Sequence, residues 1–130
     1  MALWFGVIEV VVRVYRWLFV VLLLVVTVLS LLPLEHPEFS SNDKLNHLLG
    51  WGALGVLAGL GWPGRVAVWP ALWGYSWLIE VAQGLTTYRL FSIADGFANL
   101  AGLVLAVVLL WLWYKMRSIT QSGQGAGRPE

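Results

Sequence analysis

The chain has 130 residues, of which 59% are apolar and 12% charged, with a formal net charge of +1 and no cysteine. A soluble domain this small has too little interior to hide that much apolar surface, and the missing thiols exclude a disulfide framework or a thiolate metal site. The few basic residues flank apolar runs rather than forming a basic face, which excludes a nucleic-acid interface.

The solvent that such a composition needs is a bilayer. Spanning hydrocarbon takes ~20 mostly apolar residues in a helix, and residues 14–32, 45–62, 66–85 and 91–114 each supply such a stretch. The expected fold is all-α: a polytopic membrane protein with four transmembrane helices and an amphipathic N-terminal extension. Residues 1–16 are expected to form an interfacial segment, 17–115 the four-helix membrane domain and 116–130 a disordered tail.

Glu9, Arg13 and Arg16 recur at spacings that place them on one helical face, with Trp4, Phe5, Tyr15 and Trp17 suited to headgroup depth. The apolar run from Trp17 to Leu32 continues into Leu-Pro-Leu-Glu without a small-x-small cleavage signal, so a removed signal peptide is not expected. Pro33 and Pro37 bracket the first loop, and Ser41 and Asn42 offer N-caps for the second helix, with Asp43 at its positive end. Trp62-Pro63-Gly64-Arg65 makes a tight turn that should leave the second and third helices as neighbours. Gly55 with Gly59, and Ala98 with Gly102, form small-xxx-small pairs that should bring the second and fourth helices close. Residues 118–130 have no apolar face to bury.

Basic residues set the expected orientation. Arg13, Arg16, Arg65, Lys115 and Arg117 gather at one end of the helices and only Lys44 and Arg89 at the other, so the positive-inside rule puts both termini in the cytoplasm.

Eight polar residues then share the outward end: Asp43, Lys44, His47, Glu80, Gln83, Arg89, Asp95 and Asn99. Asp43 and His47 are four apart, Glu80 and Gln83 three apart, Asp95 and Asn99 four apart, so three helices each present a polar pair on one face. Ionisable groups at membrane depth face the bundle interior and pair with one another, and Arg89 is expected to fold onto Glu80 or Asp95.

The pattern Asp-Lys-x-x-His at 43–47, Glu-x-x-Gln at 80–83, Arg89, and Ser-x-x-Asp-x-x-x-Asn-x-x-Gly at 92–102 resembles the VanZ-like membrane proteins. The resemblance spans residues 43–102 and departs from the family in the loop, where Thr86-Thr87-Tyr88 replaces a proline that often precedes the arginine. It implies a small multi-helix protein of the bacterial cytoplasmic membrane, and a link to teicoplanin and glycopeptide resistance known from the family's best-known member. It implies no reaction.

Two function classes follow. In the first, the cluster binds or modifies an anionic envelope lipid or amphiphile: Asp43, Lys44, Gln83, Arg89 and Asn99 hold the ligand, and Glu80, Asp95 and His47 act as acid or base. In the second, the cluster only fixes helix register or binds a partner. Transport is a third class, disfavoured by the apolar run from Ala101 to Leu112. Whether the chain is an enzyme is left open, and it is expected to be a monomer or small homo-oligomer. No cofactor is expected; a metal on His47, Glu80 and Asp95 is disfavoured because no HExxH-like spacing occurs and Arg89 would compete for the carboxylates. Ser92 reads as an N-cap rather than a nucleophile.

Overall fold

In the computed structural model, which describes residues 2–33 and 41–125, the chain forms four helices: α1 (Ala2–Leu31), α2 (Ser41–Gly61), α3 (Val68–Gly84) and α4 (Ile93–Gly125). The all-α expectation holds, and no strand occurs among the described residues. Two helices are long and apolar enough to cross a membrane, over Gly6–Leu31 and Ile93–Gln121, with 0% and 28% of their most apolar windows buried. Most of their apolar side chains therefore face outward, while Leu103, Ala106 and Leu110 of the second span turn inward and Phe19, Leu22, Leu23 and Val26 of the first pack against the core. The other two expected spans do not meet the same standard. Residues 41–47 of α2 include Asp43, Lys44, Asn46 and His47, and α3 has only 17 residues.

α1 is one unbroken helix, because no proline or glycine interrupts the stretch between Gly6 and Leu31, and residues 2–16 form its first turns. At the other terminus α4 continues to Gly125, so the expected disordered tail is helical over 118–125. Propagating an established helix is far easier than nucleating one, and the hydroxyls of Ser118 and Thr120 bond back to the carbonyls of Lys115 and Met116 at 2.8 and 3.0 Å, adding no demand for outside partners. Pro37, His36 and residues 126–130 lie outside the described residues, as do the side chains of Ser41 and Asn42.

Consecutive helices alternate in direction. The turn at 62–65 has Arg65 N–H bonded to Trp62 O at 3.1 Å and Gly64 at φ 78°, the geometry of a type II turn with proline and glycine in its two central places. Yet α2 and α3 share the least surface of any packed pair, while α2 packs most extensively against α4. Glycine explains the preference. α2 and α4 run parallel, with Gly52 against Gly102, Gly55 against Ala106 and Gly59 against Leu110. A Cβ at Gly55 would come within 2.6 Å of Ala106 Cβ, and one at Gly102 would overlap the Leu48 carbonyl oxygen. Backbones can approach this closely only where side chains are absent.

α1 closes on α2 in antiparallel fashion. Arg16 Nε donates to Gly61 O at 2.8 Å, meeting one of the orphan carbonyls at the end of α2, and its guanidinium lies 5.4 Å from the centre of a Trp62 ring that Phe19 meets edge-on. The core between the helices consists of Trp51, Leu54, Ala58, Leu72, Ile79 and Leu103, with Phe19, Leu22, Leu23, Val26, Val68 and Tyr75 packed around it.

Candidate functional site

The alternation of direction brings the end of α1, the start of α2, the end of α3 and the start of α4 to one end of the bundle. Each polar residue there is positioned by an identifiable local device. Ser92 caps α4, its Oγ accepting Asp95 N–H at 3.2 Å, which fixes Asp95 in the first turn and Asn99 one turn deeper. Trp77 packs so closely on Gly96 that a Cβ there would come within 2.6 Å of the indole, drawing α3 onto the first turns of α4.

At the centre, His47 Nδ1 lies 2.9 Å from Asn99 Oδ1, and Asn99 Nδ2 donates to Glu80 Oε1 at 3.4 Å. Glu80 Oε1 is also 3.8 Å from His47 Nδ1. One side chain from each of α2, α3 and α4 therefore meets here. Glu80 and Asn99 are fully buried and the His47 side chain is 9% exposed. With the Asn99 amide nitrogen turned to Glu80, its oxygen faces His47 and accepts the Nδ1 proton, so Nε2 is the ring nitrogen not engaged by Asn99. Glu80 Oε2 is buried and accepts no hydrogen bond among the described residues.

Asp43 and Asp95 also gather at His47. The three are half-buried, and one ligand atom from each lies within 4.8 Å of the other two. Of the sequence-derived cluster, Asp43, His47, Glu80, Asp95 and Asn99 thus form one group.

The remaining three sit elsewhere. Gln83 is 2% exposed but turns to α1, its Nε2 donating to Ser30 O at 2.8 Å and satisfying a carbonyl in the last turn of that helix. Lys44 is exposed, rotated away from the Asp43 face by the ~100° step of a helix. Arg89 does not fold onto Glu80 or Asp95, and among the described residues it forms no ion pair. The reason is the loop that carries it. Tyr88 OH donates to Leu31 O at 2.7 Å, which pins the loop to the end of α1, while Thr86 Oγ1 donates to Gln83 O at 2.7 Å and closes the end of α3. Arg89 consequently lines the cleft between α1 and α2.

That cleft has a volume of about 430 Å³. Ser30, Asp43, Asn46, His47 and Arg89 line its polar part, and Leu22, Val25, Val26, Leu29, Leu49 and Trp51 its apolar part. Asn46, Ser30 and Tyr88 were not singled out from the sequence. Asn46 follows Asp43 by three residues, a helical spacing that carried the signal; the roles of Ser30 and Tyr88 rest on a backbone carbonyl and a loop path, which no spacing reveals. Deeper in the bundle, Thr27 Oγ1 and Tyr75 OH lie 3.0 Å apart and tie α1 to α3 beneath the cleft.

Comparison with known proteins returned no match to a family model, a curated protein or a solved structure. Function is therefore argued from the geometry of these side chains.

Proposed function

We propose that this chain is a VanZ-like integral protein of the bacterial cytoplasmic membrane, spanning it four times with both termini inside, and that the cleft between α1 and α2 binds an anionic envelope lipid or amphiphile. The observation that carries the reading is the cleft's two-part lining: Arg89 beside Asn46 and His47 at the polar end, and the side chains of Leu22, Val25, Val26 and Leu29 along the rest. Among the described residues Arg89 has no carboxylate partner, which leaves its guanidinium able to make two parallel bonds to a phosphate or carboxylate. The apolar wall takes the chain of the same molecule. α2 and α3 cross as partners of α1 and α4, with the polar residues Ser76, Glu80 and Gln83 of α3 buried in the bundle, as polar groups at membrane depth require. His47 lines the cleft with Glu80 3.8 Å behind it, and the two supply an acid and base if the ligand is modified.

The register role of the same residues has its own support, since the His47, Asn99 and Glu80 chain links three helices. The two roles separate at Arg89, which makes no interhelical ion pair among the described residues. Native mass spectrometry of wild type, Arg89→Ala and Arg89→Lys tests the proposal. The expected result is a defined anionic lipid retained on wild type, lost from Arg89→Ala and weakened in Arg89→Lys, with all three folded. A lipid retained equally by Arg89→Ala sinks it. If the ligand is a glycopeptide-related amphiphile, as the family resemblance would have it, added teicoplanin displaces the lipid from the wild type.

A further inference from the structure

We infer that Asp43, His47 and Asp95 hold a divalent transition-metal ion of the zinc or manganese class. This goes beyond the lipid-binding reading and does not depend on it. Three features of the structure converge. The first is the ligand set: one imidazole and two carboxylates, with ligand atoms all within 4.8 Å of one another, match the nitrogen and oxygen donors that such ions accept. Ligand atoms of a tetrahedral zinc with bonds of ~2.0 Å lie ~3.3 Å apart, so rotamer adjustments of at most about 1.5 Å close the site. All three residues are half-buried, which leaves their side chains room for that movement.

The second is the support behind the ligands. Metal-bound histidines characteristically donate their other ring N–H to a fixed acceptor, which sets the tautomer. His47 does so here through Nδ1 to Asn99 Oδ1 at 2.9 Å, and Asn99 is itself anchored by Glu80 Oε1 at 3.4 Å. Nε2 is then the nitrogen that would take the ion.

The third is charge. Glu80 is fully buried, aims its carboxylate at the same imidazole, and has an unpartnered Oε2. Asp43 and Asp95 add two more carboxylates, and no arginine or lysine among the described residues pairs with any of the three. The competition from Arg89 that argued against a metal in the sequence is absent. A cation on the triad supplies the missing positive charge, and a three-ligand site keeps a further position open to water or to an anionic head group.

The test is metal content. Full-length protein purified in detergent is stripped with chelator, reloaded with zinc or manganese alone, passed over a desalting column and counted by elemental mass spectrometry. About one ion per chain is expected for wild type and for Glu9→Gln at the far end of the bundle. His47→Ala, and the double variant Asp43→Asn with Asp95→Asn, should lose it, and Asn99→Ala should bind about tenfold more weakly, the scale of second-shell losses. The double variant keeps side-chain shape at two half-buried positions, so helicity by circular dichroism and monodisperse elution are expected to match wild type. Wild type that retains less than about a tenth of an equivalent of both ions, or a double variant that retains a full one, overturns the inference. The lipid is read separately in the same preparations, so loss of either ligand leaves the other assignment intact.

Discussion

Gly102→Ala adds one methyl group at the tightest contact between α2 and α4. Its Cβ would overlap Leu48 O and lie 2.8 Å from Gly52 N, about 0.6 Å inside ordinary contact. Both obstacles are backbone atoms joined in the same helical turn, so neither can rotate aside. The helices must part by roughly 1 Å, and overpacking of this kind costs about 1–3 kcal/mol. The damage reaches the site, because Leu48 adjoins His47 and Gly102 lies one turn beyond Asn99. A separation of that size stretches the 2.9 Å bond between His47 and Asn99 past hydrogen-bonding range. Gly74→Ala is the matched control: nothing lies within 4 Å of its Cβ, and alanine is the better helix former by up to about 1 kcal/mol. Thermal unfolding in detergent, followed by circular dichroism, should show Gly102→Ala melting lower than wild type and Gly74→Ala at or above it. The NMR signal of the His47 Nδ1 proton should shift only in the former. Equal melting of the two variants would falsify the close-approach account of the α2 and α4 interface.

Replacing Glu80 by glutamine keeps an acceptor for Asn99 and removes a buried charge, so the variant should unfold no earlier than wild type, whereas Glu80→Leu orphans the Asn99 amide and should cost about 1–3 kcal/mol in the same melt. Arg16→Ala uncaps the α2 carbonyl at Gly61 and loses the Trp62 contact; a destabilisation of ~1 kcal/mol is expected, and no change would show that the bond contributes nothing. Because the chain lacks cysteine, single cysteines introduced at Thr87, Val66 and Ile119, all exposed, can be labelled with an impermeant maleimide on intact cells. Thr87 should react from outside and the other two only after permeabilisation; the reverse pattern places the cleft on the cytoplasmic face.

Much of this architecture was legible along the chain because it depends on local chemistry. Apolar runs with no proline beyond a first helical turn made the helices, Pro63 and Gly64 made the turn, Ser92 made the cap, and small residues at spacings of three and four marked the closest interface. The same periodicity grouped Asp43 with His47 and Asp95 with Asn99, and alternating helices bring these pairs to one end without further information.

Partner choice was decided in three dimensions. Charge alone assigned Arg89 to a carboxylate, but the bond of Tyr88 to Leu31 O holds its loop against α1, and the buried Glu80 meets Asn99 and His47 instead. Gln83 shares a face with Glu80 on paper, yet the end of α1 presents Ser30 O to it first. Helix periodicity fixes which side chains share a direction; which of them touch depends on how close the backbones come, and here glycines on α2 and α4 set that distance.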